Sequence, residues 1–208
     1  MSTAVGPPEP LTGVSSWNLP NALTVLRLLL VPVFVALLLA EDGASDGLRV
    51  AAWGVFALAS WTDHVDGRIA RSRGLVTAFG KLADPIADKA LTGAALIGLS
   101  SLGELPWLVT IVVLVREVGI TVLRFVVIRH GIMPASRGGK LKTLLQGVAI
   151  GLYVLPLSGL LASGRAVVMT LAVVVTLVTG ADYVARAVHL RRTSERAAMK
   201  RARRAGQA

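Results

Sequence analysis

Long apolar runs alternate with short polar connections along this chain. A membrane-spanning helix needs about 20 apolar residues, and six stretches reach or approach that length: residues 23–40, 48–62, 84–102, 106–128, 144–162 and 166–190. The second is expected to continue as helix beyond residue 62. The connections alternate in charge. "EDGASDG" (41–47) and "SLGELP" (101–106) contain no Lys or Arg, and "SGR" (163–165) contains one. The others are basic, with Arg68, Arg71, Arg73 and Lys81 after the second run and Arg129, Arg137, Lys140 and Lys142 after the fourth. A tail dense in Lys and Arg follows the sixth. This positive-inside pattern places both termini and the basic connections on the cytoplasmic side. The fold expected is all-α: a polytopic membrane protein with six transmembrane helices. A short interfacial N-terminal helix is expected within "SWNLPNALTVLR" (16–27), where Trp17 and Asn18 suit the headgroup level and Pro20 suits a helix start.

Composition agrees with that pattern. Hydrophobic residues make up 54% of the 208 and the mean hydropathy is +0.68, well above a soluble domain. The absence of cysteine excludes disulfides and thiolate metal sites. The net charge of +10, with only 5% aromatics, points to anionic lipid headgroups and not to nucleic acid. The first sixteen residues carry no Lys, no Arg and no apolar run, so they read as a disordered lead and not a signal peptide. The organisation expected is a lead over 1–16, one helical domain over 17–190 and a basic cytoplasmic tail over 191–208.

The chemistry concentrates in "SWTDHVDGRIARSRGLVTAFGKLADPIADKA" (60–90). Asp63 and Asp66 are three apart, and Asp84 and Asp88 are four apart, so each pair shares a helical face. The linker between them suffices to turn the chain, so both pairs can face one cleft. Four carboxylates that close repel strongly in a dry site. Arg71 alone does not neutralise them, whereas one or two hard divalent cations would. Gly67, Ala70 and Gly80 leave room for a ligand, and Arg71, four residues after Gly67, can hold a phosphate.

The pattern Asp63-x2-Asp66-Gly67-x2-Ala70-Arg71-x8-Gly80-x3-Asp84-x3-Asp88 resembles, at every fixed position, the signature of the CDP-alcohol phosphatidyltransferases. The resemblance implies an enzyme that moves a substituted phosphate from a CDP-alcohol to a hydroxyl, releases CMP and uses Mg²⁺ or Mn²⁺, with two ions expected. It implies Asp63, Asp66 and Asp84 as metal ligands, and Asp88 as general base and further ligand. Asp63, Gly67, Ala70, Arg71 and Gly80 would shape the CDP pocket. Spacing alone does not distinguish Asp88 from Asp84 as base. A homodimer in the cell membrane, its active site facing the cytoplasm, is also implied.

Four other stretches, "NLPNALTVLRLLLVPVF" (18–34), "LADPIADK" (82–89), "REVGITVLR" (116–124) and "MPASRGGKLKT" (133–143), resemble the bacterial branch whose substrates are CDP-diacylglycerol and sn-glycerol 3-phosphate. A phosphorylated acceptor needs further cations, and the candidates are Arg116, Arg124, Lys140 and Lys142. An Arg inside a span needs a partner; Glu117 or Asp182 is expected to supply it. Phosphatidylglycerol or inositol phosphate are the alternative acceptors. A divalent-cation transporter is the alternative from another class, although transporter sites lie nearer the midplane than these aspartates do.

Overall fold

A computed structural model describes residues 18–72, 77–127 and 137–205, with the side chains of 64–71, 78–79, 81–82, 125–127, 137 and 191–205 outside the description. Six long helices follow one another: α1 (Leu19–Leu39), α2 (Asp46–Ser72), α3 (Ala78–Ser101), α4 (Trp107–Val127), α5 (Arg137–Val154) and α6 (Gly159–Ala205). No strand occurs among the described residues. Short connections make consecutive helices antiparallel, so the aspartates of α2 and α3 share one end of the bundle with the start of α1. The α1–α2 connection opens with a 3₁₀ turn, Ala40–Gly43, in which Gly43 takes φ +71°. A Cβ at Gly43 would lie 2.8 Å from the end of the Leu102 side chain, so a larger residue there would be strained in its backbone and would displace Leu102.

α1 packs against α2 and α3; α5 packs against α6 and also reaches α2 and α3; α4 joins α3 to α6. The core is small and apolar, built around Phe34, Leu38, Phe56, Leu96, Leu99 and Ile150. The Phe34 and Phe56 rings sit 5.7 Å apart. A Cβ at Gly98 would come within 2.8 Å of Leu38, so glycine lets α1 and α3 approach closely. The outer faces also carry many large apolar side chains. Leu29, Val115, Leu144 and Val178 are all more than half exposed, a surface that suits lipid rather than water.

Leu19–Gly43 and Gly159–Leu190 are long and apolar enough to cross a membrane by length and composition. The four remaining helices each carry ionisable residues inside their length: Arg49 and Asp63 in α2, Asp84 and Asp88 in α3, Arg116 and Glu117 in α4, Lys140 and Lys142 in α5. Those charges lower their hydropathy and, as shown below, build the two polar ends of the bundle.

Three expectations are corrected. The helix expected from residue 84 begins at Ala78, because Thr77 caps it by accepting a hydrogen bond from the Gly80 N–H at 3.0 Å. The break expected at 163–165 falls at 155–158. Pro156 lacks an N–H and disfavours helical geometry at Leu155, so α5 ends at Val154 and α6 runs unbroken through Gly164. Its backbone continues as helix through the basic tail to Ala205. No separate interfacial helix precedes α1 among the described residues. Asn18 instead caps α1 directly, accepting from the Asn21 N–H at 3.0 Å, with Pro20 in the first turn. Residues 1–17, including Trp17, lie outside the described residues.

Candidate functional site

Helix α1 supplies what the hydropathy pattern hides. Asn21, Thr24 and Arg27 recur every three residues, so they form one polar stripe. All three are at least 96% buried. Polar groups at that depth require partners, and the partners lie on the aspartate helices. Asn21 Oδ1 accepts from Thr77 Oγ1 at 2.9 Å, at the start of α3. Thr24 Oγ1 donates to Asp84 Oδ1 at 2.5 Å. Arg27 Nη1 pairs with Asp63 Oδ1 at 2.7 Å. One face of α1 therefore holds one carboxylate from each of the two aspartate-bearing helices. A Cβ at Gly80 would lie 3.0 Å from Asn21 Oδ1, so Gly80 lets α3 close on that stripe.

Beside this stripe is a cavity of about 500 Å³, lined by residues of α1, α2, α3, α4 and α5. Its polar part includes Arg27, Asp63, Asp88, Lys89, Glu117, Lys142 and Gln146. Its apolar part is lined by Trp53, Phe56, Leu91, Leu114 and Leu152. The cavity is amphipathic: charge at the aspartate end, hydrocarbon along the walls. Such a space suits a lipid with an ionic head.

The expected acceptor-phosphate cations separate in space. Lys142 is 92% buried and lines the cavity. Its Nζ donates to Glu117 Oε1 at 2.5 Å. Arg116 also donates to Glu117 Oε1, at 3.0 Å, and so takes the expected partner. The rest of its guanidinium is committed to α6, where Nε donates to Thr176 O at 3.2 Å and Nη2 to Thr179 Oγ1 at 3.1 Å. Arg124 lies over the Tyr183 ring at 5.9 Å. Lys140 is exposed and does not line the cavity. Arg116 therefore reaches the cavity through Glu117, while Lys142 reaches it directly. Asp182 pairs with Arg186 at 3.0 Å on the surface.

Asp63, Asp84 and Asp88 all belong to this end of the molecule. Asp66, Gly67, Ala70 and Arg71 lie on the last turns of α2, and their side chains are outside the described residues. Among the described residues no three His, Cys, Asp or Glu side chains converge closely enough to hold a metal ion. The donor chemistry nonetheless suits one kind of metal: carboxylate oxygens on two facing helices match a hard divalent cation.

Comparison with known proteins identifies the family. A match to the CDP-alcohol phosphatidyltransferase family covers residues 17–178. Over 171 residues the chain is 58% identical to a probable phosphatidylglycerophosphate synthase of Mycobacterium tuberculosis, covering 82% of each protein. Over 180 residues it is 37% identical to a CDP-diacylglycerol–glycerol-3-phosphate 3-phosphatidyltransferase of Bacillus subtilis, covering 80% of this chain and 93% of the relative. A protein of the same description from Rickettsia prowazekii is 36% identical over 171 residues, with coverage of 80% and 93%. With a signature complete at every fixed position and a family match spanning most of its length, the chain belongs to the CDP-alcohol phosphatidyltransferases.

Proposed function

We propose that this enzyme transfers a phosphatidyl group from CDP-diacylglycerol to sn-glycerol 3-phosphate, forming phosphatidylglycerophosphate and CMP. The observation that carries this reading is the amphipathic cavity, where Asp63, Asp88 and the buried Lys142 share one polar end and apolar walls lead away from it. The walls suit acyl chains, and Lys142 suits an acceptor that bears a phosphate. The relatives named for glycerol 3-phosphate support the same acceptor. In this reading all six helices span the cell membrane, both termini face the cytoplasm, and the site opens on that side, as the alternation of basic connections supports. Family membership displaces the cation-transport alternative.

Each residue then has a task. The acceptor's 1-hydroxyl oxygen bonds to the lipid-side phosphorus, the phosphorus–oxygen bond to CMP breaks, and CMP leaves with that electron pair. Asp88, which faces the cavity, takes the hydroxyl proton. Lys142 holds the acceptor phosphate, and Arg116, through Glu117, holds Lys142 in place. Asp63, Gly67, Ala70, Arg71 and Gly80 form the CDP pocket. Enzymes of this family are generally divalent-metal-dependent. Asp63, Asp66, Asp84 and Asp88 would hold Mg²⁺ or Mn²⁺, two ions in this reading. When bound, the metal offsets charge on the diphosphate and the departing CMP.

The acceptor is tested by competition. Purified enzyme with CDP-diacylglycerol and Mg²⁺ should release CMP with glycerol 3-phosphate and at most a few per cent as fast with phosphatidylglycerol or inositol phosphate. A faster rate with either of these would reassign the acceptor and keep the chemistry. The α1 stripe carries its own prediction. Thr24→Val removes the hydroxyl that orients Asp84, and loss of such a supporting bond weakens metal binding by roughly 10-fold or more. Titration with Mn²⁺, followed by its paramagnetic resonance signal, should show that weakening. Unchanged Mn²⁺ binding would mean that Thr24 serves only packing.

A further inference from the structure

Gln146 is unaccounted for by the chemistry above. It lies on α5 four residues after Lys142, so both side chains share one helical face. Both line the cavity, and Gln146 is 95% buried. Its Oε1 is buried without a hydrogen-bond partner among the described residues. An unmet carbonyl in a dry site is destabilising, and a leucine there would avoid that penalty. The polar neighbours do not relieve it. Asp88 and Glu117, as carboxylates, have only acceptor oxygens to offer, and neither Lys142, which donates to Glu117, nor the other donors of the lining, Lys89 and Thr143 among them, bonds to it in this structure. A donor carried by an occupant of the cavity would satisfy it.

The position of Gln146 defines the ligand chemistry. The residues that carry an ammonium and an unmet carbonyl stand about one helical turn apart on α5, about 6 Å along the axis. That pair fits a small phosphorylated polyol, with the phosphate on Lys142 and a hydroxyl on Gln146. In the reaction proposed above the acceptor's 1-hydroxyl attacks and its 2-hydroxyl takes no part in bond making. We propose that Gln146 Oε1 accepts a hydrogen bond from this 2-hydroxyl and thereby determines acceptor specificity. The inference rests on glycerol 3-phosphate being the acceptor. A ribose hydroxyl of the CDP group offers the same chemistry, but the expected CDP pocket is built from α2 and α3, whereas Gln146 shares its face with Lys142.

The test uses propane-1,3-diol monophosphate, which keeps the phosphate and the attacking hydroxyl and lacks only the 2-hydroxyl. A site built to bond a hydroxyl discriminates strongly against the analogue without it. The full-length enzyme should prefer glycerol 3-phosphate in kcat/KM by roughly 10- to 100-fold. Gln146→Met should compress that ratio to within about threefold. Lys142→Met should slow both acceptors alike and leave the ratio standing. Replacing CDP-diacylglycerol by its 2′-deoxyribose form should cost wild type and Gln146→Met the same factor. A wild-type ratio near one overturns the inference without any variant. So does a preserved ratio in Gln146→Met, or a Gln146→Met effect confined to the ribose comparison. Wild-type enzyme inactive with glycerol 3-phosphate but active with another acceptor overturns the functional reading and this inference with it.

Discussion

Asp88→Asn should lower CMP release by about 100-fold or more, the span that a positioned proton acceptor contributes being roughly 10²–10⁴. The substitution keeps the shape of the side chain and removes its capacity to take a proton. Asp88 faces the same cavity as Asp63 and Lys142, so the lost group lies where the acceptor hydroxyl must lose its proton. Asp182→Asn is the matched control. That aspartate is on the surface, paired with Arg186, and its replacement should leave the rate within about twofold, because exposed pairs contribute little. If Asp88→Asn retains more than a tenth of the wild-type rate while folded, the proton goes elsewhere, and Asp84 becomes the candidate.

The largest effect on stability is expected at the opposite end of the bundle, from Glu104→Gln. Arg49, on α2, is 94% buried. Its Nε donates to Val154 O at 2.9 Å and its Nη2 to Tyr153 O at 2.5 Å, satisfying carbonyls at the end of α5. The same guanidinium pairs with Glu104 in the α3–α4 connection. Glu104 also pairs with Arg165 of α6 at 3.1 Å, and Arg165 lies 4.7 Å over the Tyr153 ring. One carboxylate thus joins α2, the α3–α4 connection, α5 and α6. Removing it leaves a buried guanidinium without its counter-charge. Breaking such a pair costs about 3–5 kcal/mol, and the partial exposure of Glu104 favours the lower end. For a chain of this size about 3 kcal/mol corresponds to a melting temperature roughly 6–12 °C lower. Arg165→Met leaves the Arg49–Glu104 pair intact and should cost about 1 kcal/mol or less. Equal melting temperatures for wild type and Glu104→Gln in the same detergent would show that the triad does not stabilise the fold.

Much of this architecture was legible because apolar length is a coarse signal. Six runs stand out and six long helices follow, with α2 extending past residue 62 into the aspartate region as its pattern suggested. The misplaced boundaries have local causes. Ser-Gly-Arg at 163–165 resembles a connection, yet glycine is tolerated inside a packed helix, whereas Pro156 removes a donor and stops one. The spacing placed Asp63, Asp84 and Asp88 at one end of the bundle, because a short turn between two helices brings their adjoining ends together; the side chain of Asp66 lies outside the described residues.

The supporting residues were harder to find. Asn21, Thr24 and Arg27 are diluted in a run whose hydropathy is otherwise that of a plain span. Only their period of three marks them, and only the packing of α1 on α2 and α3 shows what they hold. Glu117 or Asp182 was expected to partner an Arg of the fourth run, yet that expectation says nothing of Thr176 and Thr179 on α6, which also bind Arg116. Lys140 and Lys142 are indistinguishable by type and nearly so by position. A two-residue step turns one towards solvent and the other into the cavity. Gln146 is uncharged and sits among apolar neighbours, so its significance appears only once its oxygen is seen to be buried without a partner.

The most direct measurement is a two-product balance in lipid vesicles. The purified enzyme is supplied with CDP-diacylglycerol, Mg²⁺ and glycerol 3-phosphate labelled in its carbon. CMP and label in the lipid phase are then counted over the same interval. Phosphatidyl transfer to glycerol 3-phosphate requires one labelled lipid for each CMP, with neither product formed when either substrate is omitted. CMP released without label entering the lipid, or no CMP from folded protein supplied with Mg²⁺ or Mn²⁺, would contradict it.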